Sequence, residues 1–138
     1  MKENQTHKRY EKILMVGVLF KSGSYVVVRN KNEEEDVWEF PHKTAHWSEK
    51  GSHILEHLFL KDFSLKVEQK ESICTFDVKK NGVIQLLEAY WIDYDDLDEM
   101  KIKSKREYRW VTLEEMLLLI MNDEYESVRS VLANLSFA

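Results

Sequence analysis

The chain has five histidines, and four of them crowd into one window as two pairs, His42/His46 and His53/His57, each four residues apart. On a helix that spacing places two side chains on one face, and two imidazoles so placed can hold zinc or another transition metal. The stretch "HILEH" lacks the glutamate of an "HExxH" site, and no second-shell carboxylate is evident, so surface histidines are the simpler reading. A run of acids follows later, Asp93, Asp95, Asp96, Asp98 and Glu99. It has the oxygen ligands a hard cation needs but not the central glycine of a calcium loop. We read it as a solvated charge run. The only cysteine, Cys74, lies in the apolar stretch "ESICTFDV" and reads as a small side chain buried in a strand.

These residues sit on a chain of 138 residues, 43% hydrophobic and 33% charged, the proportions of one globular domain. We assign residues 1–138 to a single domain that includes a polar N-terminal extension, residues 1–10. The net charge of −5 comes with no basic tail or stripe, which argues against nucleic acid as a partner. One cysteine allows no disulfide within the chain, which suits a reducing cytoplasm. The apolar run "ILMVGVLF" is too short to span a membrane, and no small-residue cleavage site follows it. The expectation is a soluble cytoplasmic protein with no membrane partner. The sequence leaves the oligomeric state open.

Positioning falls to elements that glycine and proline punctuate. "ILMVGVLF" and "YVVV" read as strands joined by a "KSGS" hairpin turn. "VWEF" reads as a short strand stopped by Pro41, the only proline. Leu55, Leu58, Phe59 and Phe63 recur at helical spacing, which predicts an amphipathic helix over Ser52–Phe63. Strands over Ser72–Val78 and Val83–Tyr94 flank Asn81-Gly82, a strong hairpin signal. "YRWV" is a last short strand. "TLEEMLLLIM" opens with a capping box, Thr112 with Glu115, and a final helix runs from about Tyr125 to Leu135. The order implies an α+β fold, an αβα sandwich with a mixed β-sheet packed between helices.

With "WEFP" set just before the first helix, this order resembles the Nudix hydrolase family, and its MutT-like branch in particular. The likeness spans roughly residues 11 to 135 and includes "YRWVTLEEML" near the C-terminus. The family box, Gx5Ex7REUxEExGU with U aliphatic, fits without a gap, but most of its chemical positions are changed. The two glycines of the family's "WEFPGG" turn fall on His42 and Lys43. The isolated glutamate is kept as Glu49, and the arginine becomes His57. Of three helix glutamates, the first becomes Leu58 and the later pair becomes Lys61 and Asp62. Phe59 and Leu65 fill the aliphatic positions, and Ser64 replaces the last glycine.

In the family the box holds a divalent metal against a diphosphate linkage, where the metal activates an attacking water. Here Leu58 offers no oxygen, and Lys61 offers the wrong sign of charge. An ammonium about 4 Å from a divalent ion, at an effective dielectric near 20, opposes it by roughly 8 kcal/mol. We therefore expect no bound metal cofactor. The resemblance implies a Nudix-like domain with little or no hydrolase activity that binds a nucleotide or other small-molecule ligand. The alternative is an active nucleoside diphosphate-X or triphosphate hydrolase using Mg2+ or Mn2+ on a displaced set, Glu49, Glu56, Asp62 and the acidic run, or on His53 and His57. A third reading is a protein-interaction module. Glu49 and Asp62 are the surviving catalytic candidates. Arg29 is a candidate for substrate phosphates and Lys43 a candidate for substrate binding, and Glu124 stands near where MutT-like relatives place a base-reading side chain. Left-handed backbone at His42 or Lys43 would cost about 1–2 kcal/mol, which predicts a reshaped loop after Pro41.

Overall fold

The computed structural model describes residues 12–30, 36–46, 53–95 and 106–135. Seven consecutive buried residues, Ile13–Leu19, make β1 (Lys12–Lys21) the centre of the molecule. A strand apolar on both faces has to be covered on both, and the rest of the chain does this. β2 (Ser24–Asn30) turns back through Ser22 and Gly23, both at positive φ. β3 (His42–His46) pairs antiparallel with the first half of β1. After helix α1 (Ile54–Phe63), β4 (Val67–Lys80) and β5 (Val83–Tyr94) form a hairpin through Asn81-Gly82. β5 runs parallel to β1, and β6 (Arg106–Val111) closes the far edge on β2. The sheet order is β4-β5-β1-β2-β6, with β3 on β1. α2 (Leu113–Leu118), a 3-10 turn (Asp123–Tyr125) and α3 (Glu126–Leu135) complete the chain.

Strand alternation sorts the core into two layers. Leu14, Val16 and Val18 point to α2 and α3, where they meet Met116, Tyr125, Val128 and Leu132. Ile13, Met15 and Leu19 point to α1 and meet Leu55, Phe59 and Phe63. The expected αβα sandwich with a mixed sheet is what the chain forms.

β1 and β2 pair only beside their turn, at Phe20↔Tyr25 and Lys21↔Ser24, and then splay apart. The segment after residue 36 fills the wedge. Glu39 bridges Val28 through two main-chain hydrogen bonds of 2.7 and 2.8 Å, and the Gly17 N–H donates to the Pro41 carbonyl at 2.8 Å. The expected strand at "VWEF" is thus reduced to isolated bridges at Trp38 and Glu39, and the strand begins at His42 instead. His42 and Lys43 lie in that extended strand, so neither carries left-handed strain. β4 begins at Val67, ahead of the expected Ser72, because its polar start, "VEQKES", forms an edge strand whose side chains mostly face water. The last helix begins at Glu126, after the 3-10 turn.

Left-handed strain appears at the other end of the box. Ser64 caps α1 at φ 55, its N–H bonding to the Phe59 carbonyl. Glycine adopts this conformation without penalty, while other residues pay about 1–2 kcal/mol. Ser64→Gly is therefore expected to stabilise the fold by about 0.5–1 kcal/mol after the extra unfolded-state entropy is subtracted. Urea unfolding measures this, and an unchanged or lower midpoint would show that Ser64 is not strained.

Candidate functional site

Helix α1 carries the box positions, and its burial pattern fixes which way they face. Leu55, Phe59 and Phe63, four apart, are buried against the sheet, each contributing about 1.5–3 kcal/mol. The Phe59 ring lies over Gly17 so closely that a Cβ there would stand 2.7 Å from Cε2. With that face inward, His57, Leu60 and Lys61 are exposed, while Leu58 and Asp62 are half-buried. Leu58 packs against the α1-side core, so it supplies hydrocarbon and no oxygen ligand.

Glu56 is already engaged. One carboxylate oxygen lies 2.7 Å from His53 Nδ1, and the other accepts the Gln69 N–H of β4 at 3.2 Å. His53, the N-cap at φ 55, spends one ring nitrogen on this contact, and the exposed His57 lies one turn on. Among the described residues no group of three or more His, Cys, Asp or Glu side chains is placed to hold a metal ion. Glu49 lies outside the described residues. A hard cation wants several convergent oxygens, and Leu58, Lys61 and Asp62 do not fit Mg2+.

Across the sheet, His42 Nδ1 lies 2.9 Å from the Phe40 carbonyl and 3.0 Å from the Tyr125 hydroxyl. A proton on Nδ1 lets both be hydrogen bonds, with the carbonyl and hydroxyl oxygens accepting. A bare lone pair would serve only Tyr125. This contact ties the start of β3 to the 3-10 turn and so to Glu124, which is buried at 8% exposure. His42 and Glu124, 82 positions apart, thus belong to one side of the sheet, which spacing alone does not reveal.

Arg29 is committed elsewhere. Its Nε donates to Glu107 at 3.0 Å and its Nη1 to Asp36 at 3.2 Å. Its guanidinium lies 5.6 Å from the Trp38 ring centroid, and Arg109 lies 5.4 Å from it. The Trp38 indole N–H also donates to Asp36 at 3.0 Å. Two arginines on one aromatic ring are favourable, and they hold Trp38, 2% exposed, in the wedge between β1 and β2.

Sequence reasoning missed Glu88. It lies on β5 at 5% exposure, on the α1 side, and accepts the Tyr90 hydroxyl at 2.8 Å. Burial and this hydrogen bond push the Tyr90 hydroxyl up to about 12, so it stays protonated and keeps donating. A lone acid inside "VIQLLEAYWI" was the available signal. Glu88 shares a sheet row with Met15 and Lys43. Of the acidic run, Asp93 pairs with Lys21 at 3.0 Å, which lowers its carboxyl below the usual range. Asp95 is exposed beside it, and both border an open cleft of about 440 Å³ with Lys66 and Glu68. Asp96, Asp98 and Glu99 lie outside the described residues. Cys74 is half-buried in β4, and burial pushes its thiol up to about 11.

No protein-family model matches the chain, and no curated protein matches it. Solved structures do. The E. coli ORF135 protein superposes with a TM-score of 0.79 at 14% identity, covering 94% of this chain and 93% of its own. The MutT protein from Methanosarcina mazei gives 0.72 at 13% identity, with 94% and 96% covered. A C. elegans Ap4A hydrolase gives 0.67 at 12% identity, with 91% and 94% covered. The chain therefore has the Nudix fold over nearly its whole length. No helix among the described residues is long and apolar enough to cross a membrane.

Proposed function

We propose that this Nudix-fold chain binds a nucleotide or other small phosphorylated ligand in the cleft beside α1, with little or no Mg2+-dependent pyrophosphohydrolase activity. One observation carries the reading: Leu58, Lys61 and Asp62 occupy the α1 positions where the box places three glutamates, and Glu56 is closed by His53 and Gln69. The fold supports a nucleotide-type ligand, since the neighbours include a MutT protein, an Ap4A hydrolase and a UDP-X diphosphatase. A panel of nucleoside triphosphates, dinucleotides and sugar nucleotides tests this, with binding and turnover measured in Mg2+ and in Mn2+. The expected result is a ligand-induced rise in melting temperature with turnover at least 10³-fold below an active relative, about 4 kcal/mol in barrier height. Turnover near that of a relative would support a displaced metal set instead.

One feature favours a second reading, a protein-interaction module. Leu117, Leu118 and Ile120 are 43%, 86% and 65% exposed at the end of α2, and contiguous exposed apolar surface marks interaction sites. Neither binding nor turnover across the panel would favour it.

A further inference from the structure

We infer that the exposed apolar ridge at the end of α2, formed by Leu117, Leu118 and Ile120, is the docking surface for a basic amphipathic helix of a partner protein. This deepens the interaction-module reading above, on which it rests, by giving the partner's chemistry. Met116 anchors α2 in the core layer opposite α1, so the ridge is separate from the box helix. Its backbone is pinned at several points. Arg129 donates to the carbonyls of Met116 and Leu119 at 3.3 and 3.0 Å, and the Trp38 N–H donates to the Ile120 carbonyl at 2.8 Å. Met116 and Met121 on either side are buried, so the three side chains between them stay in water. A surface held this firmly loses little freedom when a partner covers it.

Charge selects the partner. From Leu113 to Glu126 the chain has five acids and no lysine, arginine or histidine. Glu126 is held by Arg129, and Glu115 by the Thr112 cap. Glu114 and Asp123, on either side of the ridge, are exposed and form no ion pair among the described residues. Two cations approach through Trp38. Arg29 is neutralised there by Glu107 and Asp36, and Arg109 offsets Glu115. An anionic rim around apolar side chains suits a partner that sets lysines or arginines beside its leucines. The same rim repels nucleic acid and anionic lipid. It also disfavours a second copy of the chain, because a two-fold contact through the ridge would bring like rims together.

Fluorescence-anisotropy titration of the full chain with a synthetic helical peptide, leucines on one face and lysines on the other, tests the inference. Binding is expected, weakening as salt is raised. Leu118→Ser with Ile120→Ser should weaken it about tenfold or more, and Glu114→Gln with Asp123→Asn about threefold or more. Circular dichroism checks that these surface variants fold. Binding that the serine variant leaves unchanged places the contact elsewhere and overturns the inference. Two results overturn the basic partner but leave the interaction-module reading standing. One is equal or tighter binding of the same peptide with glutamates for its lysines, lost in the serine variant. The other is a dimer of the chain, seen by sedimentation, that Leu118→Ser dissolves. No binding of either peptide and no dimer overturns both.

Discussion

Phe59→Ala is expected to cost about 3–5 kcal/mol of folding stability, a large share of the roughly 5–15 kcal/mol available to a domain of this kind. Phe59 is fully buried and forms the joint between α1 and the central strand. Its partner is the absence of a side chain at Gly17. A Cβ there would meet Phe59 Cε2 at 2.7 Å, closer than real contacts allow, and Ile92 Cγ1 at a tight 3.1 Å. Gly17→Ala should therefore cost about 1–3 kcal/mol by overpacking. The two changes are not independent. With the ring gone, the alanine methyl has room, so Gly17→Ala in the Phe59→Ala background should cost little beyond the single change. Urea unfolding of all four proteins measures the coupling, expected at 1 kcal/mol or more. Additive costs would mean that α1 shifts freely on the sheet and that the ring does not set its position.

Rebuilding the carboxylate face should have the second large effect. Leu58→Glu with Lys61→Glu places three acids at i, i+3 and i+4 with Asp62, on one face of α1. Mg2+ affinity should rise by at least tenfold, from no measurable binding at millimolar metal. Leu58 is half-buried against the α1-side core, so a glutamate there should cost about 1–3 kcal/mol in the absence of metal and recover part of it when metal binds. Melting curves with and without Mg2+ separate these contributions. Turnover need not follow, because β3 now begins at His42 and Lys43 where the family has glycines, and the His42 ring reaches across to Tyr125. A folded double variant with no gain in Mg2+ binding would show that the cleft has been rebuilt for another purpose.

Local signals in the chain were strong enough to fix most of the fold. Apolar spacing placed α1, because Leu55, Phe59 and Phe63 must share one buried face. Asn81-Gly82 and Ser22-Gly23 placed two hairpins, because few residues tolerate positive φ. Thr112 and Glu115 cap α2 reciprocally at 2.9 and 3.2 Å, a motif complete within four residues. The shared-face spacing of Leu58, Lys61 and Asp62 was equally legible, since spacing along a helix needs no tertiary information.

What only tertiary structure decided depends on partners far away in sequence. Whether "WEFPHKTAH" is strand or loop turned on the wedge between β1 and β2, where Glu39 finds Val28 and β3 finds β1. Arg29 reads as a candidate phosphate contact, and only the fold shows Glu107, 78 positions away, at its fork. Glu88 was hidden in an apolar run, and only pairing with β1 set it in one row with Met15 and Lys43. His42 reads as one of four clustered histidines, and only the fold brings Tyr125 to it from the far end of the chain. Periodicity and turn chemistry act over a few residues and can be read in one dimension. The state of a charged side chain depends on which groups the sheet places within about 3 Å of it, and that is set by strand order.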